Sequence, residues 1–177
     1  MIKVGQLAPD FTLTGYVNGE FKDYTLSEVT QSGKWAVIFF YPADFTFVCP
    51  TEIKGFNKKY ADFQKADAEV MGVSVDSHHS HRAWVEHELG TLEFPLLSDF
   101  QKRVSQDYNV LMQDPEDGQV AMRGTFIVDP QGVLRYTVVS DKNVGRSVDE
   151  TLRVVKALQT GGMCPVDWED GEQTLDA

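Results

Sequence analysis

Cysteine is nearly absent from this chain, with two in 177 residues, Cys49 and Cys164, far apart in the sequence. Neither a disulfide scaffold, a C-x-x-C redox pair nor a zinc site built from paired cysteines can be assembled from them. Long apolar runs are lacking too. The longest, Trp35–Tyr41 with Pro42 after it, has the length of a buried strand rather than the ~20 residues of a membrane span. The opening residues carry no charged segment followed by an apolar core, so no secretory signal is read and the cytoplasm is the expected compartment. Positive charge is the minority, 16 Lys and Arg against 27 Asp and Glu, and the formal charge of −11 would repel nucleic acid and anionic membranes. No G-x-G-x-x-G or phosphate loop is present, so no cofactor is expected. What is there is ordinary for a folded chain: 42% hydrophobic and 24% charged residues, without repeats or a composition shift. One domain over residues 1–177 is predicted, with 161–177 as a C-terminal tail.

Patterning predicts the elements. Asn18-Gly19 between Tyr16-Val17 and Phe21 predicts a type I′ turn and an N-terminal β-hairpin appended to the rest. Trp35–Tyr41, apolar at every position, reads as a central strand covered on both faces. After Cys49-Pro50, the positions Ile53, Phe56, Tyr60 and Phe63 recur at intervals of three and four, which predicts a helix beginning at the cysteine. Val70–Val75 reads as a strand, Arg82–Leu89 as a helix and Phe94–Leu97 as a short strand. Asp129-Pro130-Gln131-Gly132 predicts a type I turn joining Thr125–Val128 to Leu134–Val139. Ser147 and Glu150 form a capping box for a last helix with the stripe Val148, Leu152, Val155 and Leu158, closed by Gly161-Gly162. The tail after it holds five acidic residues and no Lys or Arg, yet also Cys164, Trp168 and Leu175. Strands alternating with helices predict an α/β, thioredoxin-like three-layer sandwich.

The chemistry is sought at Cys49. Pro50 suits a first helical turn, since its missing N–H has no intrahelical partner there. At a helix N-terminus the free amide groups and the dipole favour an anion, so a thiolate is the expected species at neutral pH. Thr46, three residues earlier, can donate to a bound oxygen. The segment Phe40–Glu52, with Pro42, Thr46 and Cys49 in a P-x-x-x-[TS]-x-x-C pattern, resembles the active-site segment of the peroxiredoxins. The resemblance continues through Ser74–Ser77 with His81, Ala83 and Trp84, then Arg123–Asp129, Val144–Ser147 and Cys164-Pro165 with Trp168. It therefore covers nearly the whole chain and points to the typical two-cysteine type, in particular the bacterial alkyl hydroperoxide reductases of the AhpC type.

That resemblance implies a thiol-dependent peroxidase acting on hydrogen peroxide and alkyl hydroperoxides. Cys49 would be the peroxidatic thiolate, Thr46 and Arg123 its hydrogen-bonding partners, and Pro42 a shield against water. Glu52 and Arg146 would hold the arginine network from behind. Oxidised Cys49 would be a sulfenic acid. Three residues lie between Thr160 and Cys164, too loose a tether to say whether Cys164 reaches Cys49 of its own chain. The resemblance makes it the resolving thiol for a partner subunit, implying a homodimer, a ring of dimers among relatives, and thioredoxin or a flavoprotein disulfide reductase as electron donor. The stretch Glu88–Leu92 lacks the Gly-Gly-Leu-Gly insertion of overoxidation-sensitive eukaryotic relatives, and the tail to Ala177 lacks their Tyr-Phe pair, so a bacterial-like enzyme is expected.

Other readings compete. His78, His79 and His81 invite a zinc site, but adjacent imidazoles point different ways and no further ligands are spaced to complete it, so they are read as a polar helix start and no metal is assigned. A different thiol enzyme would need a histidine partner for Cys49. A non-catalytic holdase would not need Cys49 at all.

Overall fold

A computed structural model describes residues 2–176. In chain order the elements are β1 (Thr12–Val17), β2 (Glu20–Thr25), α1 (Leu26–Gln31), β3 (Trp35–Phe40), α2 (Cys49–Lys65), β4 (Ala68–Ser74) and α3 (His78–Trp84). After a π-helical turn (Val85–Leu89) come β5 (Leu96–Ser98), α4 (Arg103–Asp107), β6 (Leu111–Asp114), β7 (Gly118–Ala121), β8 (Arg123–Val128), β9 (Leu134–Ser140) and α5 (Val148–Thr160). Seven strands form one sheet in the order β2-β1-β5-β4-β3-β8-β9, with β6 and β7 as a separate hairpin. The core strands β3, β4 and β5 run parallel, and antiparallel pairs flank them on both sides.

The alternation of β3 builds two cores. Val37, Phe39 and Tyr41 face one of them, with Ile53, Phe56 and Phe63 of α2, Trp84 of α3 and Leu152 and Val155 of α5. Ala36, Ile38 and Phe40 face the other, with Leu26 of α1, Val104 of α4, Val110 and Ala121. The three-layer, thioredoxin-like α/β sandwich is thus the observed fold. Phe39 stacks on Phe56 at 4.3 Å between centroids, and a Cβ on Gly72 would meet Phe39 Cζ at 2.7 Å, so only glycine lets β4 pass there.

Several local expectations hold and others change. Asn18 (φ 51°) and Gly19 (φ 84°) make the positive-φ turn that the pair favours. The Asp129–Gly132 turn closes on a 2.9 Å Gly132 N–H to Asp129 carbonyl bond. The N-terminal hairpin, however, is no appendage: β1 pairs with β5 and completes the sheet. The helix read as Arg82–Leu89 begins at His78, because the Ser77 hydroxyl accepts from Ser80 N and caps it earlier. Its end widens into the π turn, where Gly90 N–H reaches back to the Val85 carbonyl.

The capping box at α5 is half made. Ser147 accepts from Glu150 N, but the Glu150 carboxylate turns to Arg153 instead. Its buried face is Thr151, Leu152, Val154 and Val155, whereas Val148 and Leu158 are only partly covered. The tail folds back on α5: Arg153 Nη1 donates to the Trp168 carbonyl, Lys156 pairs with Asp170, and the Trp168 ring is buried.

Candidate active site

The site is assembled where β3 ends and β8 and α2 begin. Cys49 is the first residue of α2, with Val48 as its N-cap, Pro50 after it and no side chain capping the turn. Its thiol is fully buried. Arg123 opens β8 beside the end of β3 and donates from Nη1 to Cys49 Sγ at 3.3 Å. The same nitrogen donates to Glu52 Oε2 at 2.6 Å, and Arg123 Nε donates to the Lys142 carbonyl at 2.7 Å. Glu52, one turn along α2, also accepts from Arg146, whose Nε, Nη2 and backbone N–H all lie 2.8 Å from its oxygens. Arg146 Nη1 in turn donates to the carbonyls of Phe40 and Gly124, so the end of β3 and the start of β8 hold it in place.

Electrostatics follow from a short inventory. The Arg123, Glu52 and Arg146 side chains are 3%, 2% and 6% exposed, so two guanidiniums face one carboxylate away from water. Burial pushes the Glu52 carboxyl up, but Arg146's hydrogen bonds and charge, joined by the charge of Arg123, outweigh it and leave the carboxyl below its usual value. The buried cluster therefore carries one positive charge in excess. An anion on Cys49 Sγ, at the positive end of a 17-residue helix, restores neutrality.

Of the residues singled out in the sequence, the structure brings Cys49, Arg123, Glu52 and Arg146 into one cluster. Pro42 is buried at the exit of β3. Thr46 lies in the loop before Cys49, and its hydroxyl donates to the Ala43 carbonyl at 3.0 Å rather than to the sulfur. Among the described residues, Arg123 is the one polar partner of Cys49 Sγ. Cys164 is elsewhere. It lies half-buried against the end of α5, near Thr160 Oγ1 (3.4 Å) and the Ala157 carbonyl (3.6 Å). A cavity of about 600 Å³ opens beside it, lined among others by Trp35, Asp129 and Arg135. Trp35, which shares that cavity with Cys164, starts β3, whereas Cys49 sits past its end, so the two thiols of one chain lie toward opposite ends of a strand about 16 Å long at ~3.3 Å per residue.

A polar group behind the Cys49 loop escaped the sequence reading. Asp44 accepts from the Tyr41 hydroxyl (2.9 Å) and the Ser80 hydroxyl (2.8 Å) and lies 2.8 Å from His81 Nδ1, while its backbone N–H donates to Asp76. Burial and the Asp44 charge raise the Tyr41 hydroxyl pKa well above its ordinary value. His81 is thus fully buried and belongs to this network rather than to a polar helix start. Its spacing on α3, three residues before the buried Trp84, was the available signal.

Comparison with known proteins gives the family and the fold. The model of the AhpC/TSA family matches residues 4–137. A putative peroxiredoxin of Bacillus subtilis is 49% identical over 178 residues, covering 97% of each chain. The reduced 2-Cys peroxiredoxin of Plasmodium vivax superposes with a TM-score of 0.90 at 35% identity, covering 97% of this chain and 91% of the other. The AhpC of Mycobacterium bovis superposes at 0.83 with 40% identity, covering 96% and 99%. A thiol at a helix start against a buried arginine, in this fold and with these relatives, leads to one conclusion: the chain belongs to the AhpC/TSA family and is a two-cysteine peroxiredoxin of the AhpC type, a thiol-dependent peroxidase.

Proposed function

We propose that Cys49 reduces hydrogen peroxide and alkyl hydroperoxides and is resolved by Cys164 of a second copy of the chain. The Cys49 thiolate attacks one peroxide oxygen, an S–O bond forms as the O–O bond breaks, and the leaving oxygen departs as water or an alcohol after taking a proton. Arg123 Nη1, 3.3 Å from the sulfur, is placed to stabilise the charge that builds on the departing oxygen. Thr46, freed from Ala43, would supply a second donor, and Pro42 would keep bulk water from the sulfur. The Cys49 sulfenic acid then condenses with the Cys164 thiol, releasing water and forming a disulfide, which a dithiol donor reduces back to two thiols. Thioredoxin and a flavoprotein disulfide reductase both suit that last role. The two free thiols fit a reducing compartment such as the cytoplasm.

The observation that carries this reading is the single excess positive charge buried around Cys49. The intersubunit part rests on topology. β9 is an edge strand whose Val138 and Val139 are 41% and 43% exposed, an unpaired apolar edge that a second β9 can cover. Its Ser140 end lies beside Arg123 and Cys49, and its Arg135 end lines the cavity at Cys164. Antiparallel pairing of two such strands would therefore bring Cys49 of one copy toward Cys164 of the other, and the same dimers could close into a ring. A disulfide needs Cα atoms within ~4.4–6.8 Å, so the uncapped first turn of α2 must open to expose the buried sulfur.

The test is peroxide consumption with dithiothreitol by wild type, Cys49→Ser and Cys164→Ser. Cys49→Ser is expected to be inactive. Without dithiothreitol, Cys164→Ser should react with one equivalent of peroxide and, unlike wild type, give no dimeric band on a non-reducing gel. Undiminished peroxide loss in Cys49→Ser would overturn the assignment.

A further inference from the structure

The grip on Arg123 extends past the cluster into a hairpin that the chemistry above does not use. Arg123 has two fixed ends. Nη1 faces Cys49 and Glu52, and Nε donates to the backbone carbonyl of Lys142, 2.7 Å away. The guanidinium is planar, so the position of the Nε acceptor sets the direction in which Nη1 points. Lys142 lies two residues past β9, in the loop that goes on to Arg146, with Gly145 against Val48 and Glu52. Besides the Asp141 contacts to Asn143 N and Val144 N, the loop is tied down by the Lys142 side chain, whose ammonium is bonded to Asp114 at the end of β6 and lies 3.8 Å from Asp117. The Asp114 carboxylate is itself 2% exposed, and its other oxygen accepts the N–H groups of Glu116 and Asp117 in the β6–β7 turn. The Lys142 ammonium and these two N–H groups hold the Asp114 carboxyl down at about 2, so it is ionised throughout the working pH range.

From this chain of contacts we infer that Lys142 is a positioning residue: clamped to the β6–β7 hairpin through Asp114, it presents its carbonyl to Arg123 and so aims the guanidinium at Cys49. The inference rests on Cys49 being the reacting thiol. A free loop would leave Arg123 bonded through one nitrogen only, able to turn about that bond toward Glu52 and away from the sulfur.

The experiment uses full-length protein, with stopped-flow measurement of the first reaction with hydrogen peroxide and pH-dependent alkylation of Cys49 in a Cys164→Ser background. Lys142→Met keeps the aliphatic stem and removes the clamp. It should slow the peroxide reaction roughly tenfold, less than the ~10² that a 1 Å misplacement can cost, and move the alkylation midpoint to higher pH. Lys142→Arg, which can still bond Asp114, should restore both within about twofold, since a guanidinium bonds a carboxylate as well as an ammonium does. A merely structural role would change the melting temperature and leave the midpoint alone. Should Lys142→Met fold poorly, Asp114→Asn removes the charge, keeps an oxygen for the turn amides, and carries the same expectation. A rate and a midpoint equal to wild type in the clamp-less variant would overturn the inference, as would equal losses in Lys142→Met and Lys142→Arg. A Cys49→Ser control separates the two ideas: fast peroxide loss surviving in it refutes the Cys49 reading, whereas loss abolished there but unchanged in Lys142→Met refutes only the role of Lys142.

Discussion

Arg123 and Glu52 divide the work at the residue scale. Arg123 Nη1 bridges the sulfur and the carboxylate, and in the proposed reaction it would also stabilise the charge that appears as the peroxide bond breaks. Arg123→Met should lower the second-order rate with hydrogen peroxide by about 10²–10³, the usual cost of one donor aimed at a developing anion, measured by stopped flow. Glu52 restrains both arginines, and Glu52→Gln leaves two buried cations with no counter-charge. A loss of about 3–5 kcal/mol in urea unfolding at neutral pH is expected, as for other broken buried pairs. The pH dependence has a definite sign. The folded carboxyl titrates below its ordinary value, so its contribution is complete above the unfolded value of ~4.3 and disappears as pH falls through the lower folded one. The gap in stability between wild type and Glu52→Gln should therefore be widest at neutral pH and close below about pH 4. Arg146 and Glu52 are 94 positions apart, so nothing local in the sequence links them. Only the resemblance put them together, and although its stretches include Asp44 and His81 it gave them no role and did not reach Lys142.

Elements with a strong period were the legible ones. β3 shows as an unbroken apolar run because both its faces meet a core, and α2 shows because Ile53, Phe56, Tyr60 and Phe63 all point inward. The short helices α1 and α4 left no such trace. They have six and five residues, and α4 starts from Lys102 in a left-handed conformation (φ 62°), which no sequence rule assigns to lysine. The β6–β7 hairpin was missed although Asp114-Pro115-Glu116-Asp117-Gly118 carries turn residues, with Gly118 at φ 73°, because its two strands have only four residues each and show no clear alternation. At this scale the packing of β4 on β3 offers a test. Gly72→Ala would place a methyl 2.7 Å from Phe39 Cζ and 2.9 Å from Leu96 Cδ2. Phe39 is pinned by its stack on Phe56 and by the Arg146 guanidinium 5.3 Å from its ring centroid, so the cost should be about 1–3 kcal/mol in denaturant unfolding.

For the whole molecule, the sheet has two edges of different character. β2 is mostly polar, with Phe21 its one exposed large apolar residue, whereas β9 offers the adjacent Val138 and Val139. Placing a charge in the middle of the apolar edge should block pairing of copies. Val139→Lys is expected to sediment as a monomer, to react once with peroxide at the normal rate, and to form no disulfide-linked dimer on a gel. A covalent dimer of normal yield would refute pairing through β9. A further consequence follows from the two sulfurs lying at opposite ends of β3. If Cys164 of a second copy resolves Cys49, as proposed, an isolated protomer is not recycled once oxidised, and throughput per copy is expected to fall when the protein is diluted below the concentration at which copies associate. Abundance itself then becomes a control on how much oxidant each copy disposes of.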